Sequence, residues 1–243
     1  MRKLMVAMGG SMILAAPLAQ ADVVGLGASV SYWDSELSGK ASDSGDVVDV
    51  ENNLNLDSDS NANASLYFEH PVPVLPNVRL NYTLVEQSGR GQLDADFGGI
   101  ILGSDVQSDL DLEQLDLTLY YEVLDNWANL DLGLTARDLS GELIVQQVGG
   151  TQVSKTKIDG VLPMGYLAAR FDLPLTGVSL GAEGNFISFD GDSIHDFNAY
   201  GQYEIAVLQL RAGYRQMSID YEDGNERLDV DIDGPFISAG VAF

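Results

Sequence analysis

Apolar side chains in this chain recur at every second position, and past residue 21 no apolar run reaches the length of about 18 residues that a membrane-crossing helix needs. A period of two belongs to a β-strand with one apolar face. At residues 23–33, Val24, Leu26, Ala28, Val30 and Tyr32 alternate with Gly25, Gly27, Ser29 and Ser31. Residues 61–70 repeat the pattern with Ala62, Ala64, Leu66 and Phe68, and residues 78–87 with Val78, Leu80, Tyr82 and Leu84. Later segments carry Leu115 to Val123, Leu130 to Ala136, Leu167 to Leu173, Val178 to Phe186, Phe197 to Ile205 and Leu208 to Tyr214. The last carries Ile237, Ala239, Val241 and Phe243. Leu110 and Leu112 stand in the opposite phase to Leu115, which predicts a bulge near Gln114.

Ten segments of about ten residues match the length a tilted strand needs to cross hydrocarbon. With no spanning helix, the remaining way through a bilayer is a closed barrel, because every backbone polar group must be paired inside lipid. The predicted fold is therefore all-β: a closed antiparallel up-and-down transmembrane barrel of about ten strands, with eight as the alternative. Short links are expected near 71–77, 124–127, 174–177 and 206–207, and long ones near 34–60, 88–109, 139–160, 190–196 and 218–233. Such alternation places both termini on the periplasmic side.

Charged residues test the strand phases independently, since a cation on the lipid face is costly. Arg79, Arg137, Arg170, Arg211 and Arg215 all fall opposite the apolar face, as do Glu69, Asp116, Glu122, Asp131, Asp172, Glu183 and Glu204. An interior network of ion pairs follows, and a barrel this narrow is expected to be filled by it rather than open. The long connections hold many of the remaining acids, including Asp34, Glu36, Asp49 and Asp59 in the first and Asp220, Glu222 and Asp229 in the last. Divalent cations bridging these carboxylates to lipopolysaccharide phosphates are one reading, and a solvated surface is the one favoured.

The formal charge of −25 argues against nucleic acid as a partner. There is no cysteine, so neither a disulfide framework nor a thiolate metal site can form. Arg2 and Lys3, the apolar stretch from Leu4 to Leu18 and the small-x-small Ala19-Gln20-Ala21 read as a secretory signal over residues 1–21, leaving a barrel domain at 22–243. A leader of this kind, together with an amphipathic strand ending in Phe243, resembles the small outer-membrane β-barrel families of Gram-negative bacteria. The resemblance implies residence in the outer membrane among lipid and lipopolysaccharide. It also implies a role for Phe243 as a signal to the barrel assembly machinery.

Motifs for chemistry are sparse. Asp229, Asp231 and Asp233 open like a calcium loop, but its twelfth position is Gly240, not Glu. His195 with Asp192, and Asp94 with Asp96, resemble the paired acids and Asp-x-His of the ten-stranded omptin proteases. Here, however, Ser193 and Ile194 separate Asp192 from His195 and break the motif. No phosphate loop or zinc spacing is present, so no metal or cofactor is expected. The function expected first is a non-enzymatic barrel with a structural or envelope-maintenance role. A narrow channel for small solutes is the alternative, and omptin-like surface proteolysis ranks below both.

Overall fold

The computed structural model describes residues 24–43, 46–58, 61–72, 74–223 and 226–243; the expected leader at 1–21, Asp59 and Pro73 lie outside them. Alternation produces strands almost everywhere: β1 (Gly25–Trp33), β2 (Glu36–Asp43), β3 (Asp46–Asp49), β4 (Leu56–Ser58), β5 (Asn61–Glu69), β6 (Asn77–Gln92) and β7 (Asp105–Leu124). They are followed by β8 (Ala128–Gln147), β9 (Val153–Leu173), β10 (Val178–Phe189), β11 (Asp192–Ile205), β12 (Leu208–Asp223) and β13 (Glu226–Ala242). Ten of these, β1 and β5 through β13, make the wall, each antiparallel to the next. The ring closes between β1 and β13, from Gly27 opposite Ala242 to Trp33 opposite Phe236. Phe243 extends the seam by exchanging two backbone hydrogen bonds with Leu26, at 2.9 and 3.1 Å. Closure leaves the wall no unpaired edge.

Four short links, 70–76, 125–127, 174–177 and 206–207, gather at one end, as the sequence predicts. The other end differs from expectation. The long loops that the sequence predicts are mostly strand, so that β7 and β8 run for 20 residues each and β9 for 21. Between β10 and β11 the expected loop at 190–196 shrinks to Asp190-Gly191, both with positive φ (54° and 103°), the geometry of a tight hairpin turn. Asp229, Asp231 and Asp233 sit on β13, in register with β12, and not in a ligand loop.

The bulge expected near Gln114 is absent. Register is continuous from Asp105 to Tyr120 with β6 and from Val106 to Glu122 with β8, and the only shift on β7 falls between Glu122 and Leu124. Leu110, Leu112, Gln114, Asp116, Thr118 and Tyr120 all point inward, while Leu115, Leu117 and Leu119 are exposed outside. The strand keeps its phase, and the surroundings invert. Toward the short turns the outside meets hydrocarbon and must be apolar. Beyond that band the outside meets water, so the apolar residues go inside. The same inversion follows Arg137 on β8, where Leu139 and Val145 are buried, and Arg215 on β12, where Met217 and Ile219 are buried.

The first long connection supplies much of this inner apolar core. β2 pairs with β13, β3 with β2, and β4 with β6, while the single π-helical turn Val50–Leu54 crosses between them. Val48, Val50, Leu54 and Leu56 are buried against Val85, Leu93, Ile100 and Val106. Gly89 and Gly91 make room on β6: a Cβ there would stand 1.8 Å from the Asn55 carbonyl oxygen and 1.9 Å from that of Asn53. Asn53 locks the turn, donating to the Gln92 carbonyl at 3.1 Å and accepting from the Asp49 amide at 2.8 Å.

Candidate functional site

On the outer wall toward the short turns, Leu26, Val30, Leu66, Leu80, Leu117, Leu134, Leu180, Leu210 and Ile237 are exposed, Leu134 at 71%. Phe68, Tyr121, Trp127, Phe171 and Tyr203 border this band near the turns, and Tyr32, Tyr82, Phe197 and Tyr214 border it on the other side. Between Val178 and Phe186 on β10 the band covers about 26 Å along the strand at about 3.3 Å per residue. Allowing for tilt, this is close to the apolar height of a membrane barrel, with its two aromatic girdles.

Inside the band the lumen is layered. Just below the apolar core, Arg137 donates from Nε and Nη2 to the two Asp116 oxygens, both at 2.8 Å, and from Nη2 to Asp196 Oδ2 at 2.7 Å. Arg215 grips the same Asp196 at 2.9 and 2.8 Å and lies 4.6 Å from the centre of the Trp33 ring. Arg137, Asp116 and Asp196 are buried, and Arg215 is largely so. Below, Thr135 hydrogen-bonds Thr118 and donates to Asn185, and then Arg79 Nη1 donates to both Glu183 and the Tyr166 hydroxyl at 2.8 Å. Tyr120 donates to Glu69 at 2.7 Å. Nearest the short turns, Arg170 pairs with Asp172 at 3.0 Å and Arg211 donates to Gln202.

The eleven charged residues read from strand phase, Glu69, Arg79, Asp116, Glu122, Asp131, Arg137, Arg170, Glu183, Glu204, Arg211 and Arg215, thus all border the lumen. Asp196, which joins Arg137 to Arg215, lies in the stretch 190–196 that the sequence marks as a loop. It has the same parity on β11 as Asn198, Tyr200 and Gln202, and it lies one residue before the Phe197–Ile205 segment that alternation marks. Charge does not fill the whole interior, because the part beyond Asp196 is apolar for the reason given above.

The filling is also lopsided. A cavity of about 730 Å³ occupies the short-turn end, bordered by Glu69, Glu122, Asp131, Arg170, Glu204 and Phe243 among others. A second cavity of about 100 Å³ lies deeper and shares Tyr67, Arg79, Glu183, Gln209 and Arg211 with the first. Its β1, β5 and β13 side carries small polar residues, Ser29, Ser31, Ser65 and Ser238, and it ends at Trp33, Arg215 and Phe236. Together they form a polar half-channel that stops at the buried ion-pair layer.

The four residues considered for proteolysis are not brought together. Asp94 and Asp96 lie between β6 and β7, where Asp96 accepts from the Leu102 amide at 2.7 Å. Asp192 and His195 lie on β11, four strands on from β7 in one direction and five from β6 in the other, and by parity they face opposite sides of that strand. His195 stacks beside Phe197, while Asp192 accepts from the Glu222 amide at 3.0 Å. Among the described residues no cluster of three or more His, Asp or Glu side chains is arranged to hold a metal ion.

A closed antiparallel barrel, apolar outside over a membrane-high band and charged within, is an integral membrane barrel of the outer-membrane type. Solved structures similar to it over most of its length include a Pseudomonas aeruginosa FadL homologue, at 10% identity and TM-score 0.37, with 91% of this chain and 90% of that chain covered. They also include the outer membrane protein AlkL in lipid bilayers, at 14% identity and TM-score 0.37 with 96% and 97% covered. A third is the Pseudomonas putida toluene transporter TodX, at 12% identity and TM-score 0.30 with 92% and 90% covered. No protein-family model matches the chain, and no curated protein matches it. At such identities and scores, the function of this chain has to be read from its own residues.

Proposed function

We propose that the protein resides in the outer membrane, with its short turns and Phe243 toward the periplasm, and serves as a narrow, gated conduit for small solutes. The observation that carries this reading is the polar half-channel from the short-turn end to Trp33 and Arg215. A barrel needed only as a structural element gains nothing from a lumen lined by serines on one side and left unfilled. The conformation described is closed, because the Arg137, Asp116, Asp196 and Arg215 layer and the apolar core beyond it block the path. Trp33 is the gate residue in this reading: it is 1% exposed, sits where the half-channel ends, and is held by a hydrogen bond to the Gly234 carbonyl at 3.2 Å.

Planar-bilayer recording on refolded protein tests the proposal. Small, infrequent current steps are expected from the wild type, and larger or more frequent ones from Trp33→Ala. If neither protein passes current above the leak, the conduit is refuted. The second reading, a filled barrel with a structural role, then stands on the buried ion pairs of the central layer.

A further inference from the structure

The lumen pairs its charges incompletely. Arg79, Arg137, Arg170 and Arg215 each hold a carboxylate within 3.0 Å. Arg211 makes no such direct pair: it donates to the Gln202 side-chain oxygen and lies 4.5 Å from the Tyr200 ring, and Glu183, whose charge also acts on it, is already bound by Arg79. In the same 730 Å³ cavity, Glu69, Glu122, Asp131 and Glu204 make no ion pair among the described residues. Glu69 is held by Tyr120, and Glu204 accepts from Gln209 at 3.4 Å. Glu122 and Asp131 stand directly opposite each other on β7 and β8, an arrangement of like charges that costs stability unless something neutralises it.

One cavity therefore presents a cation and several carboxylates that make no direct ion pair among the described residues. Glu122 and Glu204 are exposed while Glu69, Asp131 and Arg211 are half-buried, and charges of both signs set in one partly enclosed cavity favour a ligand that supplies the complement of each. Around Arg211 the walls offer hydroxyl and amide donors from Tyr67, Gln209, Ser29 and Ser238, a lining suited to an anionic group. The volume falls in the range of small-molecule pockets. We infer that this cavity binds a small zwitterion, its carboxylate against Arg211 and its ammonium group among Glu69, Glu122 and Asp131. The inference rests on the conduit reading for its physiological meaning, since it names the class of solute that would enter.

Equilibrium binding tests it without any current being measured. Saturation-transfer NMR on the refolded barrel in detergent uses β-alanine as the zwitterion, with propionate and ethylammonium carrying one of its charges each. The expected result is saturable binding of β-alanine, with each single-charge probe about tenfold or more weaker. Arg211→Gln should abolish the β-alanine signal while Arg211→Lys keeps part of it, and Glu122→Gln should weaken it. Absence of saturable β-alanine binding to the wild type overturns the inference, as does equal binding of either single-charge probe. Unchanged binding in Arg211→Gln also overturns it. If Arg211→Gln does not fold, the comparison of the three probes on the wild type still decides. Binding without conductance would sink the conduit and leave this site standing; conductance without binding would do the reverse.

Discussion

Replacing Asp196 with Asn should destabilise the barrel severely, because this one carboxylate holds the fully buried Arg137 and the largely buried Arg215. It accepts from Arg137 at 2.7 Å and from Arg215 at 2.9 and 2.8 Å, and it is 5% exposed. Losing its charge leaves Arg137 with Asp116 alone and Arg215 with no carboxylate, in a layer sealed from water on one side by the apolar core. Breaking a buried pair in this way costs about 3–5 kcal/mol, because a desolvated cation is left without compensation. That is a fall of roughly a hundred- to several-thousand-fold in the folded-to-unfolded ratio. Equilibrium urea unfolding of refolded protein in detergent, followed by tryptophan fluorescence and by the gel shift between boiled and unboiled samples, measures it. Asp172→Asn is the control: its pair with Arg170 is 38% exposed on both sides, so the loss should stay below about 1 kcal/mol. If Asp196→Asn unfolds within about 1 kcal/mol of the wild type, the central layer is not the electrostatic keystone argued above.

On the outer wall, Leu134→Arg should lower stability by about 2–4 kcal/mol. Val161→Arg, on the same wall but level with Asp138, should cost about 0–1 kcal/mol. Equal costs in bilayer refolding titrations would contradict the position assigned to the lipid band. Gly89→Val should expel the Val50–Leu54 turn, since even a Cβ meets the Asn55 carbonyl oxygen at 1.8 Å. Added protease should then cut near residues 50–55 in the variant and spare the wild type; a resistant variant would show that the turn does not need this notch. At the β11–β12 turn, Ala206 has a φ of 55°, so Ala206→Gly should raise the urea midpoint by the equivalent of about 1 kcal/mol. A lowered midpoint would refute the strain assigned to that turn.

Alternation alone carried the wall. Because side chains on a strand must point to opposite faces, Leu115 to Tyr121 and Ile237 to Val241 declared their exposed side without any knowledge of their neighbours, and Arg79 and Arg137 declared the inward one. The proline-rich and Asp125-Asn126 links likewise announced the short turns. Asp190-Gly191 carries an equally local hairpin signal, and it sets the start of β11 and with it the inward side of Asp196.

Other features were not local. Leu110 and Leu112 looked out of phase because the periodicity of a sequence records which residues are apolar, not what surrounds them. Only the assembled barrel shows that the wall outgrows the lipid band and that its apolar face turns inward there to meet Leu54, Val48 and Ile100. Which arginine finds which carboxylate is decided across the lumen, between residues up to 104 positions apart in the case of Arg79 and Glu183. Strand phase can send a charge inward, but barrel diameter and shear determine what it meets. The sequence by itself thus determined a closed, charge-lined barrel. The tertiary structure decided that this barrel is shut by ion pairs and an apolar core at one end and left hollow at the other, because those contacts exist only once the ring has closed.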